Sequence, residues 1–120
     1  PRIKSDFLNL LKGIKDGTFS EKDLEINEDV ASTVMLVSKG YPEKYEKGFE
    51  ITNFNDCNDS IVFHAGAKNK NGTVLTNGGR VMAITSFGQN MELALDKSYK
   101  SAEKINFKGK VYRKDIGFDL

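Results

Sequence analysis

The chain has 120 residues and a formal net charge of +1. That length supports one domain with a modest core, and 38% hydrophobic with 29% charged residues describes a soluble globular chain rather than a disordered one. The near-neutral balance excludes nucleic-acid binding by bulk electrostatics, and no apolar run approaches the roughly 18 residues of a membrane span.

One cysteine, Cys57, excludes an internal disulfide and fits a reducing, cytoplasmic compartment. A single histidine beside it argues against a zinc site, which needs several such ligands. No signal peptide is visible, because Pro1-Arg2-Ile3-Lys4 leads into an amphipathic stretch. Pro1 in place of Met reads as a piece of something longer.

In chain order, residues 5–16 read as a helix. Ser5 is the expected N-cap, and Asp6 suits the positive helix end. Phe7, Leu10, Leu11 and Ile14 fall on one face, and Gly17 is the expected stop. Residues 18–30 are polar, with a short strand-like alternation at Leu24 and Ile26, and mark a join between two parts.

From Ser32 the pattern changes. "STVMLVS" is β-rich and apolar, as in a strand buried on both faces. "KGYPEKYEKG" is a loop, "FEIT" a short strand, "FNDCND" a turn and "SIVFHAG" a strand. Asn71-Gly72 is a hairpin signal, since both central residues of a type I′ turn need positive φ, and "TVLT" pairs back across it. "RVMAITSFG" is a longer strand. "NMELALDKSYKSAEKINF" is a helix capped by Asn90, with Met91, Leu95, Tyr99, Ala102 and Ile105 as its buried stripe. "YRKDIG" closes the chain. The order implies an α+β fold with a mostly antiparallel sheet, or a small half-barrel with a helix across it.

The candidate site is Gly78-Gly79-Arg80, in "LTNGGRVMAIT". Such a turn can aim backbone N–H groups at an anion, with a guanidinium matching phosphate oxygens beside it. The plain alternative is a glycine turn between two strands with a solvated arginine. His64 lies among apolar residues; strand alternation puts Ile61 and Phe63 on one side, Val62 and His64 on the other. A lone histidine there is more often structural than a base. Cys57, among carboxylates, reads as inert. Arg113 and Asp115 suit a local ion pair. Lysines 97, 100, 104 and 108 read as a solvated helix face. No metal cluster, nucleophile constellation or phosphate loop is legible, so no catalytic residue is assigned.

Four segments, "PRIKSD", "GYPEKYEKG", "VFHAGAKNKNGTVLTNGGRVMAITSFG" and "FKGKVYRKDIG", resemble the phosphoribosylamine–glycine ligase (glycinamide ribonucleotide synthetase) family in order and spacing. One departure is Ala67, where the family usually has threonine. The resemblance implies an ATP-grasp ligase of de novo purine biosynthesis. It would join glycine to 5-phosphoribosylamine through an acyl phosphate, using ATP and Mg²⁺ or Mn²⁺. Residues 1–26 would be the tail of the ATP-grasp domain, and 27–120 a β-rich C-terminal domain like that of biotin carboxylase.

The family's metal ligands and nucleotide-binding segments precede the first residue here. The expectation is therefore a segment that binds neither ATP nor metal and is silent without the ATP-grasp portion. Its N-terminal helix is then free to fold back on the β-rich part or to mediate self-association. The resemblance also implies a phosphate contact at Gly78, Gly79 and Arg80, with His64, Lys68 and Asn77 at the cleft edge. The reading from a different class is a stand-alone, non-catalytic β-rich binding or assembly module.

Overall fold

The structure is a computed structural model and describes residues 1–118. The last two residues of the expected C-terminal segment lie outside them. The fold is α+β. Helix α1 (Phe7–Asp16) is followed by strands β1 (Val30–Ser38), β2 (Ile61–His64), β3 (Ala67–Lys70), β4 (Thr73–Thr76) and β5 (Arg80–Gly88). Helix α2 (Met91–Lys104) and the short strand β6 (Lys110–Val111) complete it. A four-stranded antiparallel sheet has the order β2-β5-β1-β6, and β3 and β4 form a separate hairpin.

The N-terminal helix starts later than expected, at Phe7, so Asp6 rather than Ser5 caps it: Asp6 Oδ1 accepts from Asn9 N at 3.0 Å. Ser5 instead ties the segment together, its Oγ donating to Asp23 O and accepting from Glu25 N, both at 2.7 Å. Gly17 ends α1 in the left-handed region at φ 71°, where a Cβ would be strained. Ile3 bridges Ile26, which closes residues 1–27 into a small unit. Leu10 is the only α1 residue that unit buries; Phe7, Leu8, Leu11 and Ile14 remain exposed. The helix does not fold back on the sheet to cover them.

In the sheet, Val34 pairs with Ile84 and Leu36 with Met82, and all four are fully buried. Directly opposed residues share a face, so these four define the side against which α2 packs. Burying a side chain of that size stabilises by roughly 1.5–3 kcal/mol. Asn90 caps α2 as expected, its Oδ1 accepting from Leu93 N at 2.9 Å. The stripe α2 buries is not the expected one. Ala94, Ser98, Ser101 and Ala102 are buried, while Met91, Leu95 and Tyr99 stand half-buried at its flank. Small residues let the helix approach the sheet closely, and serine hydroxyls find partners there: Ser98 Oγ lies 2.9 Å from Ser32 Oγ, and Ser60 Oγ reaches Ser101 Oγ at 2.6 Å and Ser86 Oγ at 2.7 Å.

The expected solvated lysine face is only partly so. Lys100 pairs with Asp96 in the open at 2.7 Å, but Lys97 Nζ donates to Phe87 O at 2.8 Å and Lys104 Nζ to Asp56 O at 3.2 Å. Those two fasten the helix edge to the sheet and to the preceding turn. Lys108 leaves the helix and lies over the Phe49 ring. Lys110 Nζ donates to Ala102 O at 2.8 Å and Ile105 O at 2.6 Å, placing a cation on the negative end of α2. "FEIT" forms no strand of its own. It is held by single bridges at Glu50 to Leu75 and at Thr52 to Asn106. The Asn71-Gly72 hairpin stands as expected, with φ 53° and 86°.

Candidate functional site

The Asn77–Arg80 link joins β4 to β5 and lies against the end of β2. Gly66 N donates to Arg80 O and Asn77 N to Gly66 O, each at 2.7 Å, and Ala65 N donates to Val81 O at 3.0 Å. These bonds pull two backbones together until no side chain fits between them. A Cβ on Gly66 would lie 2.7 Å from Gly78 Cα. A Cβ on Gly79 would overlap the Tyr41 ring. The two glycines of the turn are therefore demanded by close approach, not by positive φ.

The turn has a defined polarity. Gly79 O accepts from Ser38 N at 2.8 Å, and Gly78 O from Ser38 Oγ at 3.0 Å. Both carbonyls thus point to Ser38 at the end of β1. Among the described residues, neither Gly78 N nor Gly79 N has an acceptor, and the exposed Arg80 guanidinium has no partner. Unpaired backbone donors beside a free guanidinium form a site for an oxyanion.

Arg80 opens onto a cleft of about 330 Å³ on the sheet face opposite α2. Met35 and Val37 line its floor, with Tyr41, Tyr112 and Arg113 around it. A bulge between Leu36 and Val37 brings Arg80 opposite Val37 and so onto this face. Burial first, then the charge of Glu103, raises the Tyr112 phenol above its ordinary value, so it remains a protonated hydroxyl. Arg113 meets Asp115 through two bonds of 2.8 Å, as the sequence suggested, and the hydrogen bond holds the Asp115 carboxyl below its ordinary value.

Asn77 adjoins the turn, and Lys68 is exposed on the β3–β4 hairpin. His64 is set apart from Arg80. It pairs with Met82 on the α2 side of the sheet and meets the Phe54 ring edge-on at 5.3 Å. Cys57 is buried, its thiol 3.7 Å from Ser101 O. Tyr41 and Ser38, which shape the turn, carried no signal in the sequence, because neither lies near it in the chain. Among the described residues no group of three or more His, Cys, Asp or Glu side chains can hold a metal ion, so these residues do not fit the cation that the resemblance implies. No described helix is long and apolar enough to cross a membrane.

Comparison with known proteins gives a direct match. Residues 31–119 fit the family described as phosphoribosylglycinamide synthetase, C domain. This chain belongs to that family. It is 40% identical over 97% of its length to a phosphoribosylamine–glycine ligase of Caldanaerobacter subterraneus subsp. tengcongensis, of which it spans 28%. It is 41% identical over 98% of its length to the human trifunctional purine biosynthetic protein adenosine-3, of which it spans 12%. The crystal structure of a phosphoribosylamine–glycine ligase from Thermotoga maritima superposes with a TM-score of 0.76 at 37% identity, covering 91% of this chain and 27% of that one. The chain thus spans little more than a quarter of the ligases it matches.

Proposed function

We propose that this phosphoribosylglycinamide synthetase C domain is the C-terminal part of an ATP-dependent ligase that joins glycine to 5-phosphoribosylamine in de novo purine biosynthesis, in the cytoplasm. Residues 1–26 are then the tail of the ATP-grasp domain and 27–120 the C-terminal domain. ATP and the Mg²⁺ or Mn²⁺ it needs are held by the ATP-grasp portion, and this segment alone gives no turnover. The ligase relatives, in which the segment is 27–28% of a single polypeptide, favour this over a stand-alone binding module.

The role of the segment is to present Gly78 N, Gly79 N and Arg80 to the substrate phosphate, with Asn77 beside them and Lys68 and His64 further out. One observation carries this: two backbone donors without acceptors stand next to a guanidinium without a partner. The chemistry asked of them is binding and orientation of a dianion, which positions the amine for attack. The test is steady-state kinetics of the full-length ligase carrying Arg80→Ala, with each substrate varied in turn. A rise confined to the KM for phosphoribosylamine supports the assignment; unchanged kinetics overturns it.

A further inference from the structure

The sheet face that holds Arg80 is built to be covered, and nothing in residues 1–118 covers it. Ile61, Phe63 and Val111 are 44%, 41% and 46% exposed on it. Met35, Val37 and Phe87 lie half-buried between them on the two central strands. Its hydroxyls are mutually satisfied, since Thr33 Oγ1 and Thr85 Oγ1 are 2.8 Å apart. From edge strand to edge strand the face presents no charged side chain until Arg80 at its end. A solvated antiparallel face alternates apolar with polar residues, and β1 does not: it is patterned for burial on both sides while only one is occupied.

We infer that this face is the seat of the N-terminal remainder of the same ligase polypeptide. The inference rests on the ligase reading for the identity of the occupant. Two observations select that occupant. A broad face without charge marks an obligate interface rather than a transient one. In the matching ligases about seven-tenths of the polypeptide lies outside this segment and is tethered to it, so its effective concentration is in the roughly millimolar range that favours docking. The only charged side chain at the margin of this docking face on β5, Arg80, stands where its edge meets the anion-binding turn. Seating the remainder there closes the cleft above Gly78 and Gly79.

The test is cysteine labelling of the full-length ligase at nanomolar concentration, with peptide-level mass spectrometry as the readout. Phe63→Cys and Val111→Cys probe the face, and Glu103→Cys on exposed α2 is the reference. The expected result is labelling at 63 and 111 at least about tenfold slower than at 103, lost on denaturation. Equal rates at all three positions in protein with a native circular dichroism spectrum overturn the inference. So does protection that appears only at micromolar concentration, which marks a second copy as the occupant. Phe63→Lys adds an independent arm: it should lower the melting temperature of the full-length ligase, and an unchanged melt counts against the seat. None of these readouts uses turnover, so a failed ligase assay and a failed seat are told apart.

Discussion

Gly66 and Gly78 lie back to back, with room between them for no side chain: a Cβ on Gly78 would come 3.0 Å from Gly66 Cα. Their approach fixes the end of β2 against the turn that carries Arg80. Gly66→Ala forces backbone against backbone, which no rotamer relieves, and the expected cost is roughly 1–3 kcal/mol. Thermal unfolding should show a drop of about 5 °C or more. Gly78→Ala should cost less, because its added Cβ has a single tight neighbour. A Gly66→Ala melt equal to the parent's would mean that the two strand ends part easily and that the turn is not held as described.

The buried hydroxyls under α2 make a second prediction. Ser98 Oγ contacts both Ser32 Oγ at 2.9 Å and Ser32 O at 3.3 Å. Ser98→Ala leaves the Ser32 hydroxyl buried without that partner, at a cost of about 1–2 kcal/mol. Ser32→Ala should cost less, because Ser98 keeps the Ser32 carbonyl. The double variant should be more stable than the sum of the singles requires, with a coupling of roughly 0.5–1.5 kcal/mol. Denaturant melts of the four proteins check this, and strict additivity would count against a functioning hydroxyl pair.

The contrast between these two sites explains what was legible in the sequence. Elements announced by local chemistry stood where expected: the Asn90 cap, the Gly17 stop and the Asn71-Gly72 hairpin each depend on one or two adjacent residues. The triplet Gly78-Gly79-Arg80 was visible as a motif for the same reason, and its family as a set of spaced segments. The reason for its glycines was not, because Tyr41 and Gly66 meet it only through the fold. The buried stripe of α2 was misassigned for a related reason. Hydrophobic periodicity favours Met91, Leu95 and Tyr99, but close packing on a sheet selects the smaller Ala94, Ser98 and Ala102. Strand β6, two residues long, is too short to carry any period.

The Arg113–Asp115 pair gives a pH prediction. The hydrogen bond from Arg113 holds the Asp115 carboxyl below its ordinary value in the folded state. A depressed carboxylate contributes stability above its unfolded value and loses it as pH falls through the folded one. The pair is exposed, so the contribution is small and salt-sensitive. Carboxyl resonances followed by NMR should give Asp115 a lower midpoint than exposed Asp59. Arg113→Gln should move the Asp115 midpoint up, and so should added salt. A midpoint indifferent to both would show that the pair does not persist in solution.

Arg80→Ala tests the anion site most directly. The guanidinium is exposed and touches no acceptor among the described residues, so its loss should leave the melt of the protein nearly unchanged. A charge-assisted contact to phosphate is worth roughly 1.5–3 kcal/mol, or about ten- to a hundredfold. In the full-length ligase that loss should fall on the KM for phosphoribosylamine and leave the KM for ATP in place, because only one substrate's phosphate reaches this turn. Arg80→Lys keeps the charge but not the planar fork, and should recover part of the affinity. Inorganic phosphate should compete with phosphoribosylamine in the parent and less so in Arg80→Ala. Three patterns then separate. A selective KM effect with partial rescue by lysine assigns the contact. Equal weakening for every substrate, with a lowered melt, makes Arg80 a structural residue. Unchanged kinetics and an unchanged melt leave Gly78-Gly79-Arg80 a turn between two strands.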